Sequence, residues 1–282
     1  MKKTTKIVLL AATAVTVLGI LLAGGILFFV QADLRKLSSD TYVENVYEID
    51  QNFEHISINL RDADITFALS QDGKCRVKSK ETEQFGLLVN VENDTLVIRL
   101  NRDQAPPFFA MSFLEPELTV YLPKCQYESI HLEQETGDIT MPTDFCFTEA
   151  QIDTSTGDIR WSGVVTRQLE LETTTGDVYL TNAQCGNVEI EVTTGDVTVT
   201  DTVAGEFSLE LTTGDVILER FDAAGISVEN TTGDITCNLL SGKMFVAETL
   251  TGDVNVPVST EGGPCCLYTT TGDITVTVAN EN

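Results

Sequence analysis

Basic residues are scarce in this sequence, and so are the side chains that most often carry out chemistry. Seventeen Lys and Arg stand against 43 Asp and Glu, a formal charge of −26. Lys2, Lys3, Lys6, Arg35 and Lys36 all precede position 37, where Asp33 is the sole acid; beyond it 12 basic residues face 42 acidic ones, a balance of −30. A domain of that charge is repelled by phosphate backbones, which excludes nucleic acid as a partner. Histidine occurs only as His55 and His131, neither in a nucleophile or metal motif, and no two cysteines have the CxxC spacing of a metal site. Disorder is excluded in turn by an apolar content of 42% that recurs at fixed intervals.

What is present begins with one long apolar run. Ile7 to Val30 is 24 residues without a charge, enough for a helix across a hydrocarbon core of about 30 Å. Three lysines precede it, while Asp33 partly offsets Arg35 and Lys36 behind it, so the amino end is expected to stay cytoplasmic and the rest to lie outside. Val30-Gln31-Ala32 would also pass as a cleavage site, but secretory apolar cores are about 7–15 residues long. The expected organisation is a cytoplasmic tail (1–6), a single membrane-spanning helix (7–30) acting as an uncleaved anchor, a linker (31–46), a degenerate first coil with a cap or insertion (47–125), and a regular repeat array (126–282).

The array is marked by Thr-Gly-Asp, with its glycine at Gly137, Gly157, Gly176, Gly195, Gly214, Gly233, Gly252 and Gly272, a step of 19 or 20 residues each time. Apolar residues stand seven and five before each glycine and two and four after it, as in Leu169, Leu171, Val178 and Leu180 around Gly176. That alternation predicts two short strands per repeat, each with one buried face, joined at a glycine corner. One such unit cannot bury its own apolar face, so neighbours must stack. The fold expected is all-β, a parallel β-solenoid of about 19-residue coils spaced about 4.8 Å apart. Ile56, Ile58, Ile65 and Phe67 fall at the same offsets around Ala63, which predicts a degenerate earlier coil. The chain runs only ten residues past Gly272, so an open edge at the carboxyl end is expected to invite a dimer or another partner.

Two acidic columns follow from the alignment. Directly after the glycines stand Asp138, Asp158, Asp177, Asp196, Asp215, Asp234, Asp253 and Asp273; four before them, on the solvent side, stand Glu133, Asp153, Glu172, Glu191, Glu210, Glu229 and Glu248. Charges stacked about 4.8 Å apart repel by about 0.9 kcal/mol in bulk water. Either each Asp accepts backbone N–H bonds at its corner while the glutamates fan into water, or the columns, with Glu172, Glu191, Glu210 and Glu229 foremost, gather Ca²⁺ or other hard cations, which take about six to eight oxygen ligands. No further cofactor is expected. Carboxylate catalysis of glycoside cleavage needs a cleft with two acids in unequal environments, and equivalent repeats supply none, so no enzyme activity is expected. The seven cysteines predict no disulfide framework: Cys237 and Cys265 fall in apolar columns, and Cys266 falls at an outward position.

A membrane helix followed by tandem Thr-Thr-Gly-Asp-Ile/Val coils resembles the putative-adhesin family of bacterial surface β-solenoids, over roughly residues 50–280. Glu135 and Leu250 depart from the pattern, replacing the first hydroxyl residue of their coils. The resemblance implies an extracytoplasmic, envelope-associated protein and brings no catalytic residues. The function expected is therefore interaction without catalysis, as an adhesin or an envelope-stress scaffold, with an envelope protein or cell-surface glycan as partner. A cation- or glycan-binding module that needs no protein partner is the competing reading.

Overall fold

The structure, a computed structural model, describes residues 42–82, 86–101, 117–259 and 261–279. The expected tail, membrane span and most of the linker lie outside these residues. Among the described residues no helix is long and apolar enough to cross a membrane, and all the regular structure is β.

In chain order, β1 (Tyr42–Ile49) is followed by β2 (His55–Asn59) and β3 (Asp64–Leu69), which flank Ala63. The chain then makes an excursion through β4 (Cys75–Thr82), β5 (Leu87–Glu92), β6 (Thr95–Leu100) and β7 (Glu117–Leu122). The coils proper follow as pairs of strands on either side of each corner: β8 (Gln126–Thr136) and β9 (Ile139–Met141), β10 (Cys146–Thr156) and β11 (Ile159–Trp161), β12 (Val164–Thr175) and β13 (Val178–Thr181), β14 (Cys185–Thr194) and β15 (Val197–Thr200). After β16 (Val203–Thr213), a single long strand, β17 (Val216–Thr232), leaves one corner and runs to the next. The last strands are β18 (Ile235–Leu239), β19 (Met244–Thr251), β20 (Val254–Asn255), β21 (Pro264–Thr271) and β22 (Ile274–Val278).

These strands form two ladders, one before the corners and one after them. Within the coils every pairing is parallel, and although the register shifts between Phe147 and Glu149, between Val165 and Gln168 and between Glu219 and Phe221, Leu132, Ile152, Leu171, Ile190, Leu209 and Val228 lie side by side. The solenoid expected from the 19-residue period is what the chain forms. The alternating pattern puts the four apolar columns into a continuous core, with Trp161 as its largest fully buried side chain and Phe53, Tyr127, Phe147 and Trp161 ring against ring. The same parity turns a fifth column inward, three residues before each glycine. Gln134, Thr154, Thr173, Asn230 and Thr269 are buried there, as are Val192 and Leu211, and the half-buried Thr249 completes the column. Most of the polar ones donate to a corner carbonyl: Thr173 Oγ1 to Gly157 O (3.4 Å), Asn230 Nδ2 to Gly214 O (3.0 Å) and Thr269 Oγ1 to Gly233 O (3.2 Å), while Gln134 Oε1 and Asn230 Oδ1 are buried without a partner.

Spatial order departs from chain order at both ends. At the amino end β2 and β3 are an inner coil, around which β6 and β7 add a further parallel rung. β5 closes on β6 as an antiparallel hairpin whose turn residues Asn93 and Asp94 take φ of 49° and 59°, and β4 and then β1 close on β7. At the carboxyl end β21 pairs with β17 on one side and β19 on the other, and β22 lies between β18 and β20. The last coil in the sequence is thus interleaved between the Gly233 coil and the Gly252 coil. The open edge expected at Gly272 belongs instead to Gly252. Register alone permits this, because every corner offers its neighbours the same bonds.

Candidate functional site

The corners explain why glycine is required. Gly137 through Gly272 hold φ between 126° and 147°, a region closed to side chains, and a Cβ on any of the eight would sit 1.9–2.1 Å from the carbonyl oxygen of the corner stacked beneath. Backbones touch there with no space for a side chain. Around the contact, Gly176 N–H donates to Thr194 O (3.0 Å) and Val178 N–H to Asp196 O (2.9 Å), and the pattern repeats from coil to coil.

The aspartates next to those glycines are bonded in one file. Asp158 N–H donates to Asp138 Oδ1 (2.9 Å), Asp177 to Asp158, Asp196 to Asp177, Asp215 to Asp196 and Asp234 to Asp215. The file starts at Asp64, whose Oδ1 accepts from Asp138 N–H (2.9 Å). It ends in the interleaved order, with Asp273 donating to Asp234 and Asp253 to Asp273, each at 2.8 Å. Each carboxylate except that of Asp253, the last in the file, is thus an acceptor bonded to the next coil, which offsets the repulsion of stacking like charges. Among the described residues the remaining oxygens are covered only at the amino-terminal end, where Arg160 bridges Asp138 and Asp158 and Tyr179 Oη donates to Asp177 Oδ2 (3.0 Å). From Asp196 onward the residues are exposed.

The second acidic column stands on the outer face of the pre-corner ladder. Asp153, Glu172, Glu191, Glu210 and Glu229 are register partners on successive strands, and Glu170 and Glu189 pair beside them. Partial burial and then the neighbouring Glu172 raise the Asp153 carboxyl above its ordinary range. Burial followed by Glu189 raises Glu170, and burial followed by Glu172 and Glu210 raises Glu191. The face therefore carries like charges with little cationic compensation. Among the described residues no three His, Cys, Asp or Glu side chains gather about one point to hold a metal ion.

Sequence spacing gave no sign of one contact: His55 Nδ1 and Ser129 Oγ lie 2.7 Å apart on adjacent strands. A nucleophile and base at that distance still need donors for an oxyanion, and here they stand on a strand face whose neighbouring amides are committed to the ladder. His131 is exposed two residues on. All seven cysteines are free thiols. Burial raises Cys75, Cys185 and Cys265 to about 12 and Cys237 higher still, whereas Cys125 and Cys266 are exposed.

No curated protein matches the chain. Among solved structures it is similar to a putative adhesin of Bacteroides fragilis, at 18% identity over 85% of this chain and 99% of that one with a TM-score of 0.48. A putative adhesin of Parabacteroides distasonis is similar at 11% identity over 84% and 98% (TM-score 0.47), and a putative lipid binding protein from the same species at 15% over 84% and 97% (TM-score 0.49). The sequence itself matches one family, Toastrack DUF4097, over residues 53–202 and again over 180–282. Those matches span the inner coil at Ala63 and every corner from Gly137 to Gly272, and the chain belongs to the Toastrack DUF4097 family.

Proposed function

We propose that this chain is a non-enzymatic interaction protein of the cell envelope, anchored by residues 7–30 and displaying its solenoid outside the cell. The acidic face of the pre-corner ladder is the binding surface. One observation carries the reading: Asp153, Glu172, Glu191, Glu210 and Glu229 recur once per coil in unbroken register, with Glu170 and Glu189 alongside. A flat sheet face with about 4.8 Å between rows suits an extended partner better than a small molecule, and its sign selects a basic one. The names of the adhesin-like structural neighbours agree with a surface role.

Photo-cross-linking in intact cells tests this, with the full chain carrying the reactive group beside Glu191 and the product identified by mass spectrometry. The expected product is one reproducible basic envelope protein, lost when Glu172, Glu191 and Glu210 are replaced by Gln and retained when Thr174, Thr193 and Thr212 are replaced by Ser. Capture that is indifferent to the Gln changes overturns the acidic face as the binding surface. Retention of the purified chain on cell-surface glycans, with no protein captured, would favour the glycan-binding alternative.

A further inference from the structure

The Gly252 coil, which ends the solenoid, differs from every other coil on its outer face. Six residues before the glycine other coils carry polar side chains such as Glu170, Glu189 or Ser208, and two before it they carry Thr174, Thr193 or Thr212. Here those positions are Val246 and Leu250, 57% and 74% exposed, with Met244 at 47% on the same face. Val254 and Val258 are exposed as well. From Met244 to Asn255 the only charges are Glu248 and Asp253, although the domain as a whole is strongly acidic. An apolar, weakly charged coil at an edge that is unpaired among the described residues is a surface built to be covered.

The backbone pattern of that edge shows what would cover it. Met244 N–H donates inward to Gly263 O, so by strand alternation Phe245, Ala247 and Thr249 turn their N–H and C=O groups outward, away from β21. That set is self-complementary about Ala247. A two-fold axis through this residue sets β19 antiparallel to β19 of a second copy. Ala247 then bonds with the partner's Ala247, and Phe245 with the partner's Thr249 on either side. The same register places Met244 against the partner's Leu250 and Val246 against the partner's Glu248. The exposed parts of Met244, Val246, Leu250, Val254 and Val258 offer roughly 350 Å² of apolar surface, most of the roughly 450 Å² found in an ordinary half-interface of about 800 Å².

We propose that a second copy of this chain docks on the Gly252 coil, joining two solenoids end to end through an antiparallel β19–β19 pair. Of the acidic column only Glu248, set opposite the partner's Val246, lies within this pairing. β1 lies at the opposite end of the post-corner ladder from this joint.

The test uses the full chain in mild detergent, with Cys125 and Cys266 replaced by Ser so that no exposed thiol remains. In that background V246C/E248C places each new thiol opposite its counterpart in a non-hydrogen-bonded pair. Mild oxidation is expected to give a reducible dimer, whereas V246C alone, whose thiols are offset, gives at least about tenfold less. V246S/L250T restores the residue types of the other coils, so it keeps the fold, and is expected to weaken dimerisation at least about tenfold in sedimentation equilibrium. A monomeric parent chain at about 10 μM would overturn the proposal. So would a dimer that V246S/L250T leaves unchanged, or equal cross-linking by V246C alone.

Discussion

A methyl group added to Gly214 would place its carbon 1.9 Å from Gly195 O, a backbone atom of a residue whose own N–H is bonded to Thr213 O (3.0 Å). Neither backbone can yield without breaking the stack, so Gly214→Ala is expected to cost about 3 kcal/mol or more, read as a fall in the thermal midpoint. The neighbouring carboxylate follows different logic. Asp215 Oδ1 accepts Asp234 N–H, and an amide oxygen accepts the same bond, losing the charge assistance but also the repulsion from the stacked carboxylates. Asp215→Asn should therefore stay within about 0.5 kcal/mol of the parent, while Asp215→Ala strands a donor and loses about 1–3 kcal/mol. Equal losses in both variants would show that charge, not acceptance, is what matters there. Among the thiols, iodoacetamide at pH 8 should label Cys125 and Cys266 first. Cys75, Cys237 and Cys265 should react only after unfolding, since burial both shields them and holds them protonated. Early labelling of Cys237 would contradict the packed core.

At the scale of the ladder, the acidic column sets the pH response. Asp153, Glu170 and Glu191 have folded-state values raised above 3.8, 4.5 and 4.5, so the folded chain holds their protons more tightly than the unfolded chain does. Stability from these groups is greatest below those ordinary values and falls as pH rises through the raised ones. Asp201 works in the opposite sense: Arg220 lowers its value, so its contribution is present above 3.8 and fades below. The thermal midpoint should consequently be higher near pH 5 than at pH 8. E172Q/E191Q/E210Q should raise the pH 8 midpoint by about 2–6 °C and flatten the profile. A midpoint that is highest at pH 8 would refute the repulsion. Calcium and magnesium at equal ionic strength should act alike if the column attracts counterions diffusely, and a midpoint raised by calcium alone would instead support the specific cation reading. The column itself was legible from the repeat, because parity fixes which side of a strand a residue faces. The buried polar file of Gln134, Thr173 and Asn230 was harder to see, since its residue types look like surface until the corner carbonyls that bond them are in place.

Over the whole molecule, the corners were legible and their spatial order was not. Thr251-Gly252-Asp253 and Thr271-Gly272-Asp273 present the same donors and acceptors, so nothing in either triplet specifies which stacks on Gly233. What distinguishes them is peripheral. The Gly272 coil carries buried Cys265 and Leu267 with a solvated Tyr268, and the Gly252 coil carries the apolar outer face. Interleaving therefore puts the coil with the more ordinary faces inside and the apolar one at the tip. The connection that lets the chain skip a rung is pinned by Lys243, the only lysine after Lys124, whose ammonium is buried against Asp222 and Ser241 at 2.5 and 2.7 Å. Removing residues 262–282 vacates the rung between Gly233 and Gly252. Because Gly233 N–H bonds to Thr271 O as Gly272 N–H bonds to Thr251 O, the Gly252 coil can descend one rung and restore every corner bond. The truncated full-length chain is thus expected to stay folded, to melt a few degrees lower through loss of one coil's buried area, and to keep residues 244–256 protected from protease. Rapid cleavage within 244–256 would mean that Lys243 holds this coil too far out to descend, so that the inserted coil alone secures the tip.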